Sequence, residues 1–324
     1  MSQYRIGIDL GGTNIRAAIV DNEQRIVRKQ VAKTPKDRAD IVIKAMVQLC
    51  QSLLSKEKLT IKDIEGIGVG TPGTVNNNMG KVLYANNLGW VDVPLRELLM
   101  RDLPAEIYIE NDGNTAALAE AWLGANRGML NSITITLGTG VGAGVLVEGR
   151  MLTGNNYAGG ELGHMVIVAG GALCTCGRRG CWEAYSSAPA LLRMAINAAR
   201  EDGESQLWSI CAGDFDQLTP EAVFNLAFKG DAAAKSCIER YLILLKLAIV
   251  NLVSIFQPEQ IAIAGGISGQ GDRLIKPLQM AVNVESYGAK YLRTPRVTIS
   301  ALDGDAGVLG AALLPKYHKG GINL

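Results

Sequence analysis

Short apolar runs typical of buried strands recur along the chain, and stretches with helical periodicity separate them. The strand-like runs lie at residues 5–20, 64–69, 107–114, 133–147, 260–264 and 297–300. The helical patterns lie at residues 40–54, 115–123, 188–199, 220–227, 231–256 and 304–314. Strands that alternate with helices predict an α/β fold. A chain of 324 residues is long enough for two domains.

Two of the strand-like stretches resemble each other, and each is interrupted by a glycine-rich turn. ITITLGTGVGAGVLV at 133–147 aligns without gaps on IGIDLGGTNIRAAIV at 6–20. Such a β-turn-β unit can point backbone N–H groups at a phosphate, and Asp9 is placed to meet a metal-bound water. The first unit is not a P-loop, because no Gly-Lys-Ser/Thr follows. The pair predicts a duplicated architecture with two phosphate-facing turns, and chance likeness between glycine-rich hairpins is the alternative.

Residues 159–183 contain one of the two histidines and three of the six cysteines of the chain. These four side chains are His164, Cys174, Cys176 and Cys181. A Cys-x-Cys-x4-Cys cluster with a histidine ten residues upstream matches the ligands of tetrahedral Zn²⁺. Buried thiols or disulfides are the alternative reading. Because all four ligands are protein atoms, no position remains for a metal-bound water, so the predicted zinc is structural.

Carboxylates stand at both ends of this cysteine-rich stretch. Glu161 precedes His164 by three residues, and Glu183 follows Cys181 by two. A metal that fixes the histidine also fixes the neighbouring glutamate. Charge-assisted hydrogen bonds to hydroxyls are short and directional, so a rigid loop with carboxylates is suited to hold a polyol.

Further polar residues follow two other strand-like runs. Asp112 comes at the carboxyl end of the strand at 107–114, where ligands bind in α/β sheets, and is therefore a candidate general base. A helix cap formed by Asp112 or Asn114 is the competing interpretation. Asn86 and Asn87 could bind sugar hydroxyls or could be turn residues.

Composition narrows the classes of partner. Lys plus Arg number 32 and Asp plus Glu number 31, which argues against nucleic-acid or membrane binding through bulk charge. No apolar run reaches the length of about 18–20 residues that spans a membrane, and no signal peptide is recognised. Three clustered cysteines, with Cys50, Cys211 and Cys237 scattered elsewhere, predict a reduced, cytoplasmic protein.

Taken together, nine segments resemble the ROK family (repressors, uncharacterised reading frames and kinases), and within it the bacterial glucokinases. They are GIDLGGTNIR at 7–16, GVGTPGTV at 68–75, ANNLGW at 85–90, ENDGNTAALAE at 110–120, ITLGTGVGAGV at 135–145, GELGH at 160–164, CTCGRRGCWE at 174–183, AGGIS at 264–268 and DAGVLGAA at 305–312. The resemblance implies a two-domain, actin-like and hexokinase-like (ribonuclease H-like) ATPase fold with a zinc-stapled loop. We expect a small domain of residues 1–117 plus 303–324 and a large domain of residues 118–302.

The resemblance also implies an ATP-dependent hexokinase that acts on the 6-hydroxyl of a hexose, with glucose as the first expectation. Asp112 would be the general base. The sugar would contact Gly73, Asn86, Asn87, Asn111, Asp112, Glu161, His164 and Glu183. MgATP would lie against Asp9, Gly11, Gly12, Thr13, Thr139, Gly140, Gly265 and Gly266. His164 would bind zinc through one ring nitrogen and the sugar through the other, because the two nitrogens are distinct.

Two departures from the family pattern bear on the substrate. Thr74 stands where relatives vary, and Asn86 stands where a proline is common in glucokinases. Kinases of N-acetylmannosamine, mannose or fructose are therefore alternatives.

A different class of protein in the same family is a sugar-sensing regulator. Such a protein needs an N-terminal helix-turn-helix, whereas the first hairpin here begins at Arg5. A zinc-stapled binding protein without turnover is a third possibility. We expect a homodimer or homotetramer that binds neither nucleic acid nor membranes.

Overall fold

The computed structural model describes residues 4–210 and 214–320, so the predicted scattered Cys211 lies outside the described residues. The chain divides into two compact units. The first comprises Met1–Thr134, Gly144–Gly160 and Ala301–Leu324, and the second comprises Ile135–Ala143 and Glu161–Ser300. The predicted division into a small domain of residues 1–117 plus 303–324 and a large domain of residues 118–302 remains a prediction. The compact units assign residues 118–134 and 144–160 to the first unit as well.

Thirteen strands occur in the described part of the chain. They are β1 (Tyr4–Leu10), β2 (Asn14–Asp21), β3 (Ile26–Lys33), β4 (Ile64–Thr71), β5 (Thr74–Asn76), β6 (Lys81–Ala85), β7 (Trp90–Val93), β8 (Ile107–Asn111), β9 (Ser132–Leu137), β10 (Val141–Val147), β11 (Arg150–Met151), β12 (Gln260–Ala264) and β13 (Arg296–Ile299). Ten α-helices accompany them between residues 4 and 320. They are α1 (Ala39–Lys56), α2 (Leu95–Met100), α3 (Asp112–Trp122), α4 (Glu183–Ser186), α5 (Ala188–Glu201), α6 (Gln206–Ile210), α7 (Pro220–Lys229), α8 (Ala232–Phe256), α9 (Asp272–Glu285) and α10 (Ala306–Gly320).

Ten of these strands form two five-stranded sheets with the same order, and the other three form a sheet of order β5-β6-β7. The first sheet has the order β3-β2-β1-β4-β8, and the second has the order β11-β10-β9-β12-β13. Strands β1 and β2 pair antiparallel, whereas β1, β4 and β8 run parallel. In both sheets the first strand in the chain is central and its hairpin partner lies beside it. This shared order agrees with the duplication that the two similar β-turn-β units predict.

Helices cover both faces of the first sheet. Helix α1 buries the apolar stripe that includes Val42, Met46 and Leu53 in the largest apolar cluster of this unit. Helix α10 packs on β1 and β4 from the other side. A Cβ atom on Gly68 would lie 1.7 Å from the backbone oxygen of Ala311, so only glycine lets helix and strand approach this closely.

Helix α3 begins three residues earlier than the sequence pattern predicts, and its N-cap is neither of the predicted residues. The Asn111 side chain accepts a hydrogen bond of 3.1 Å from the N–H of Asn114 and so caps the helix. The predicted cap residues, Asp112 and Asn114, therefore lie inside the first turn.

Helix α8 is the longest helix of the second unit and is only partly enclosed. It packs against α5, α7 and α9, while Ile243, Leu247 and Ile255 stay exposed. The prediction that this helix is central to its unit agrees with these packing partners. Within residues 4–210 and 214–320, no helix is both long enough and apolar enough to cross a membrane.

Candidate active site

The first glycine turn joins β1 to β2 and is held by hydrogen bonds from outside the hairpin. The Thr34 hydroxyl donates to the oxygen of Gly11 at 2.6 Å, and the Thr34 N–H donates to the oxygen of Thr13 at 2.9 Å. Gly12 and Thr13 themselves are exposed. A braced turn with exposed backbone at its tip is suited to meet an anion.

Asp9 stands on β1 just before this turn and is largely buried. Its Oδ2 accepts a hydrogen bond of 3.1 Å from the Arg16 guanidinium. Burial raises the pKa of Asp9, and the hydrogen bond and charge of Arg16 act in the opposite direction. A Cβ atom on Gly307 would come within 2.8 Å of the Asp9 carboxyl carbon, so α10 packs directly against this side chain.

Asn111 and Asp112 stand where β8 passes into α3. Asn111 donates from Nδ2 to the oxygen of Gly73 at 3.1 Å, which ties the helix start to the loop after β4. The Asp112 Oδ1 accepts the N–H of Gly113 at 2.9 Å. Gly73 has φ +95°, and a Cβ atom there would lie 2.1 Å from the oxygen of Tyr84. Glycine is therefore required at position 73, for both its conformation and its close packing.

Asn86 and Asn87 begin a short 3-10 helix, Asn86–Leu88. Both are exposed, and the Tyr84 hydroxyl pairs with Asn86 Oδ1 at 3.2 Å. A Cβ atom on Gly12 would lie 3.8 Å from Asn87 Cβ. Within the first unit, the glycine turn and the predicted sugar-contacting amides are therefore neighbours.

The second unit brings the four predicted metal ligands together. The ligand atoms of His164, Cys174, Cys176 and Cys181 all lie within 4.8 Å of one another. His164 Nδ1 is 3.6 Å from Cys174 Sγ, and the Sγ atoms of Cys176 and Cys181 are 3.7 Å apart. A tetrahedral ion with Zn–S bonds of about 2.3 Å spaces its sulfur ligands by about 3.8 Å. The distances and the donor set therefore fit a metal site.

Disulfide bonds, the alternative reading of these cysteines, do not occur in the described residues. Cys174, Cys176 and Cys181 are free thiols, as are the buried Cys50 and Cys237. Since His164 faces the cysteines through Nδ1, its Nε2 is the nitrogen that the predicted sugar contact would use.

Glu183 links the metal cluster to the second glycine turn. Its Oε1 accepts from the Thr175 hydroxyl at 3.0 Å, and its Oε2 accepts from the N–H of Val141 at 3.1 Å. A Cβ atom on Gly140 would lie only 2.5 Å from Glu183 Oε2. The carboxylate therefore lies between the cysteine loop and the turn that carries Thr139 and Gly140.

Glu161 lies within the electrostatic influence of this cluster. The N–H of His164 donates to the oxygen of Glu161 at 3.1 Å across a short 3-10 turn, which joins the two residues through the backbone. Desolvation raises the pKa of Glu161, the charge of His164 lowers it, and Glu183 raises it. The predicted sugar-binding acids and histidine of the second unit are therefore neighbours.

A third glycine turn adjoins the second. Gly265 has φ +88°, and a Cβ atom on it would lie 2.4 Å from the oxygen of Leu137, the last residue of β9. The turn of Gly265 and Gly266 thus stands beside the turn of Thr139 and Gly140, at the ends of neighbouring strands. Two adjacent exposed backbone turns suit a ligand as long as a nucleotide.

The sequence reasoning missed three residues of these networks. Glu110 has no role in the sequence-based prediction beyond its place in the segment 110–120, and Asn77 and Thr175 have none. Glu110 is 1% exposed and accepts hydrogen bonds from two asparagine amides. The signal that could have identified Glu110 is its place just before a predicted base, in a strand of buried isoleucines.

Comparison with known proteins identifies the family. Residues 5–318 match the ROK family. The chain is 36% identical to a glucokinase of Halalkalibacterium halodurans over 98% of this chain and 96% of that protein, and 34% identical to a glucokinase of Thermotoga maritima over 98% of each. It superposes with a TM-score of 0.82 on a ROK family glucokinase from Streptomyces griseus, solved in complex with glucose and AMPPNP. That structure is 31% identical and the match covers 95% of this chain and 98% of that one. These matches confirm the predicted actin-like, hexokinase-like α/β fold, and the protein belongs to the ROK family.

Proposed function

We propose that the protein is an ATP-dependent hexokinase that transfers the γ-phosphoryl group of ATP to the 6-hydroxyl of a hexose, with glucose as the preferred substrate. The observation that carries this proposal is the position of Asp112. Its carboxylate stands in the first turn of α3, beside an Asn111 side chain that is tied to the Gly73 loop. The named relatives support a sugar kinase and do not favour a regulator.

In this mechanism Asp112 accepts the proton of the 6-hydroxyl as the hydroxyl oxygen attacks the γ-phosphorus, and the bond from that phosphorus to the bridging oxygen breaks so that ADP leaves. The groups assigned to the sugar are Asn111, Asn86, Asn87, the backbone of Gly73, Glu161, His164 and Glu183. Phosphoryl transfer requires positioning and charge neutralisation above all, so one base and a set of hydrogen-bonding groups are sufficient protein chemistry.

The glycine turns hold the nucleotide. The turn of Gly11, Gly12 and Thr13 and the turn of Thr139 and Gly140 both offer backbone and hydroxyl groups that suit phosphates. Gly265 and Gly266 lie against the adenosine. Asp9 suits Mg²⁺, which usually keeps water and phosphate oxygens for its other ligands. When bound, that ion neutralises the phosphate charge that develops during transfer.

We assign the metal of the second unit as a structural Zn²⁺. Three sulfurs and one imidazole nitrogen are the donors that zinc prefers, and their spacing supports a tetrahedral ion. Zinc there would hold the loop that carries Glu161 and Glu183. A cytoplasmic location, where thiols stay reduced, is part of this proposal.

A homodimer, or a homotetramer built from such dimers, is also part of the proposal. Five large apolar side chains at the end of α9 and in the following turn are exposed, with Tyr287 and Tyr291 at 80% and 91%. The other three are Met280, Val284 and Leu292. Aromatic side chains bury about 150–250 Å² each, so the five offer on the order of 600 Å². A standard interface needs about 800 Å² per partner, and a two-fold axis lets this α9 patch meet its own copy.

The test of the function is a coupled assay of ADP release with glucose, mannose, fructose, N-acetylglucosamine and N-acetylmannosamine, run on the wild type, Asp112→Asn and Asp102→Asn. We expect the wild type to prefer glucose. Asp112→Asn should lower kcat by about 10²–10⁴-fold while glucose binding by calorimetry persists, because the amide keeps the shape but not the base. The exposed Asp102 makes Asp102→Asn the matched control. Near-normal turnover of Asp112→Asn would remove that residue from its role.

A further inference from the structure

Glu110 is a fully buried acid at the carboxyl end of β8, with 1% of its surface exposed. Acidic side chains are rarely buried to this degree unless every oxygen has a partner. None of the functional roles assigned above uses this residue. It directly precedes Asn111 and Asp112 in the chain.

Both carboxylate oxygens of Glu110 accept hydrogen bonds from defined donors. Oε1 accepts the N–H of Asn111 at 2.9 Å and the Asn114 side-chain amide at 3.1 Å. Oε2 accepts the Asn77 side-chain amide at 3.0 Å. One carboxylate therefore joins the end of β8, the first turn of α3 and the turn after β5.

Each partner is itself fixed by a second contact. The Arg96 guanidinium donates to the carbonyl oxygens of Asn77 and Asn78, which holds the turn after β5 against α2. Asn114 donates its backbone N–H to Asn111 Oδ1, and Asn111 Nδ2 donates to the oxygen of Gly73. Asn111 is thereby fixed through both its backbone and its side chain.

We propose that Glu110 is a positioning residue of the sugar site. Its carboxylate holds Asn111 and the first turn of α3 so that the Asn111 amide and the Asp112 carboxylate keep a fixed relation to the hexose. This inference rests on the proposed function. Displacing a base by about 1 Å can cost a hundredfold in rate, so the second layer of contacts matters even without touching substrate.

The effect of a substitution on stability distinguishes this positioning role from a merely structural one. Burial raises the pKa of Glu110, and the hydrogen bonds from Asn111, Asn114 and Asn77 act in the opposite direction. A carboxyl whose folded-state pKa is raised stabilises the fold at low pH and loses that contribution as the pH rises through the folded-state pKa. At neutral pH a neutral glutamine therefore carries no penalty for a buried charge. Glutamine removes that charge but leaves one buried hydrogen bond unmade, so the positioning role predicts lost activity even well below the unfolding temperature of the variant.

The experiment uses Glu110→Gln, Asn77→Asp and the double variant that exchanges acid and amide. In Glu110→Gln the one remaining oxygen serves Asn111 and Asn114, so the new NH₂ group faces the Asn77 amide, donor against donor. We expect kcat/KM for glucose to fall by about ten- to hundredfold at temperatures well below the unfolding transition, while the KM for ATP stays near wild type. Asn77→Asp alone places two carboxylates together and lowers both activity and stability. The double variant restores a donor–acceptor pair and should recover activity above either single variant.

Glu106→Gln is the matched control, because Glu106 precedes the same strand but is exposed and pairs with Lys319. It should leave kcat and KM unchanged. Full activity in Glu110→Gln, or a double variant no better than the worse single one, overturns the positioning role. The role is also overturned if the activity of each variant falls only as far as its folded fraction falls. The wild type and Asp112→Asn run in the same series, so a wild type that phosphorylates no hexose counts against the proposed function instead.

Discussion

Single carboxylates join separate segments of the chain in both compact units. Glu110 joins three segments of the first unit, Glu183 joins the cysteine loop to a glycine turn, and Asp231 caps two helices of the second unit. Each accepts hydrogen bonds from N–H or hydroxyl groups at both of its oxygens. An acid accepts in several directions at once, which an amide of the same shape does not. Substitution to asparagine or glutamine is therefore an informative change at these positions.

Glu161→Gln tests the sugar-binding role at the edge of the cysteine loop. A hydrogen bond to a charged group contributes about 1.5–3 kcal/mol, so the KM for glucose should rise by about tenfold or more. The KM for ATP should stay constant in steady-state assays. The exposed Glu239 on α8 provides the control Glu239→Gln. An effect confined to ATP would mean that Glu161 serves the nucleotide.

Cys176→Ser tests the metal assignment. Removing one of four ligands should reduce the zinc content from about one ion per chain to a small fraction and lower the unfolding temperature. Elemental analysis of the purified protein measures the metal. Cys237→Ala is the control, because this buried thiol lies outside the cluster. A full zinc complement in Cys176→Ser would contradict the ligand set.

At the scale of secondary structure, the periodic pattern of the sequence predicted the long elements well and their ends less well. Helix α8 was predicted from 231 and begins at Ala232, because Asp231 is its cap. Helix α3 was predicted late, because the sequence does not reveal that Asn111 turns its side chain back to cap it. Helix α9 was not predicted, since Pro277 interrupts its pattern, although Leu274, Leu278 and Val282 are buried at helical spacing.

For the candidate site, the chemistry of the residues was readable but the hydrogen-bond partners were not. The spacing of the cysteines and His164 predicted a metal cluster, and their ligand atoms lie together. The burial of Glu110 and its bond to Asn77 depend on a contact across 33 positions of sequence. No local pattern encodes such a contact.

Asp231→Ala tests a carboxylate that caps α8 and the start of α6. Its oxygens accept the N–H groups of Ala234 at 2.8 Å and Gln206 at 2.7 Å. One cap contributes about 1 kcal/mol, so losing both should lower the free energy of unfolding by about 2 kcal/mol. Asp231→Asn should lie between wild type and alanine, because an amide oxygen can serve only one side.

The effect of Asp231→Ala should depend on pH with a definite sign. Partial burial acts to raise the pKa of Asp231, but hydrogen bonds from Ala234, Gln206 and Ser205 hold it below its usual value. A lowered folded-state pKa gives stability above the unfolded value of about 3.9 that is lost as the pH falls through the folded value. In urea unfolding, the difference from wild type should be full at pH 6–7 and shrink below about pH 4. A difference that grows in acid would contradict the capping role.

At the scale of the whole molecule, two sheets of the chain have the same strand order. Both five-stranded sheets place the first strand at the centre and its hairpin partner beside it. Each sheet carries a glycine turn after that first strand, at Gly11 in one and Gly138 in the other. The sequence similarity between 6–20 and 133–147 therefore corresponds to a supersecondary unit that both sheets share.

The α9 patch makes the assembly testable. Val284→Asp combined with Tyr287→Ser should weaken self-association by about thirtyfold or more, since central apolar contacts contribute at least about 2 kcal/mol when lost. Sedimentation velocity over a range of concentrations measures this. Val31→Thr, an exposed valine of β3, is the control. A wild-type protein that sediments as a monomer at all concentrations would rule out this interface.

The bond between Glu183 and Val141 has a consequence for how the enzyme is prepared and assayed. The same carboxylate contacts Thr175, between two of the cysteines, and the backbone of the turn assigned to the phosphates. Stripping the proposed zinc with a chelator should therefore weaken nucleotide affinity as well as sugar affinity, although none of the residues assigned to ATP is a cysteine. Because such coupling is reciprocal, saturating nucleotide should slow the loss of zinc to the chelator by the same thermodynamic linkage.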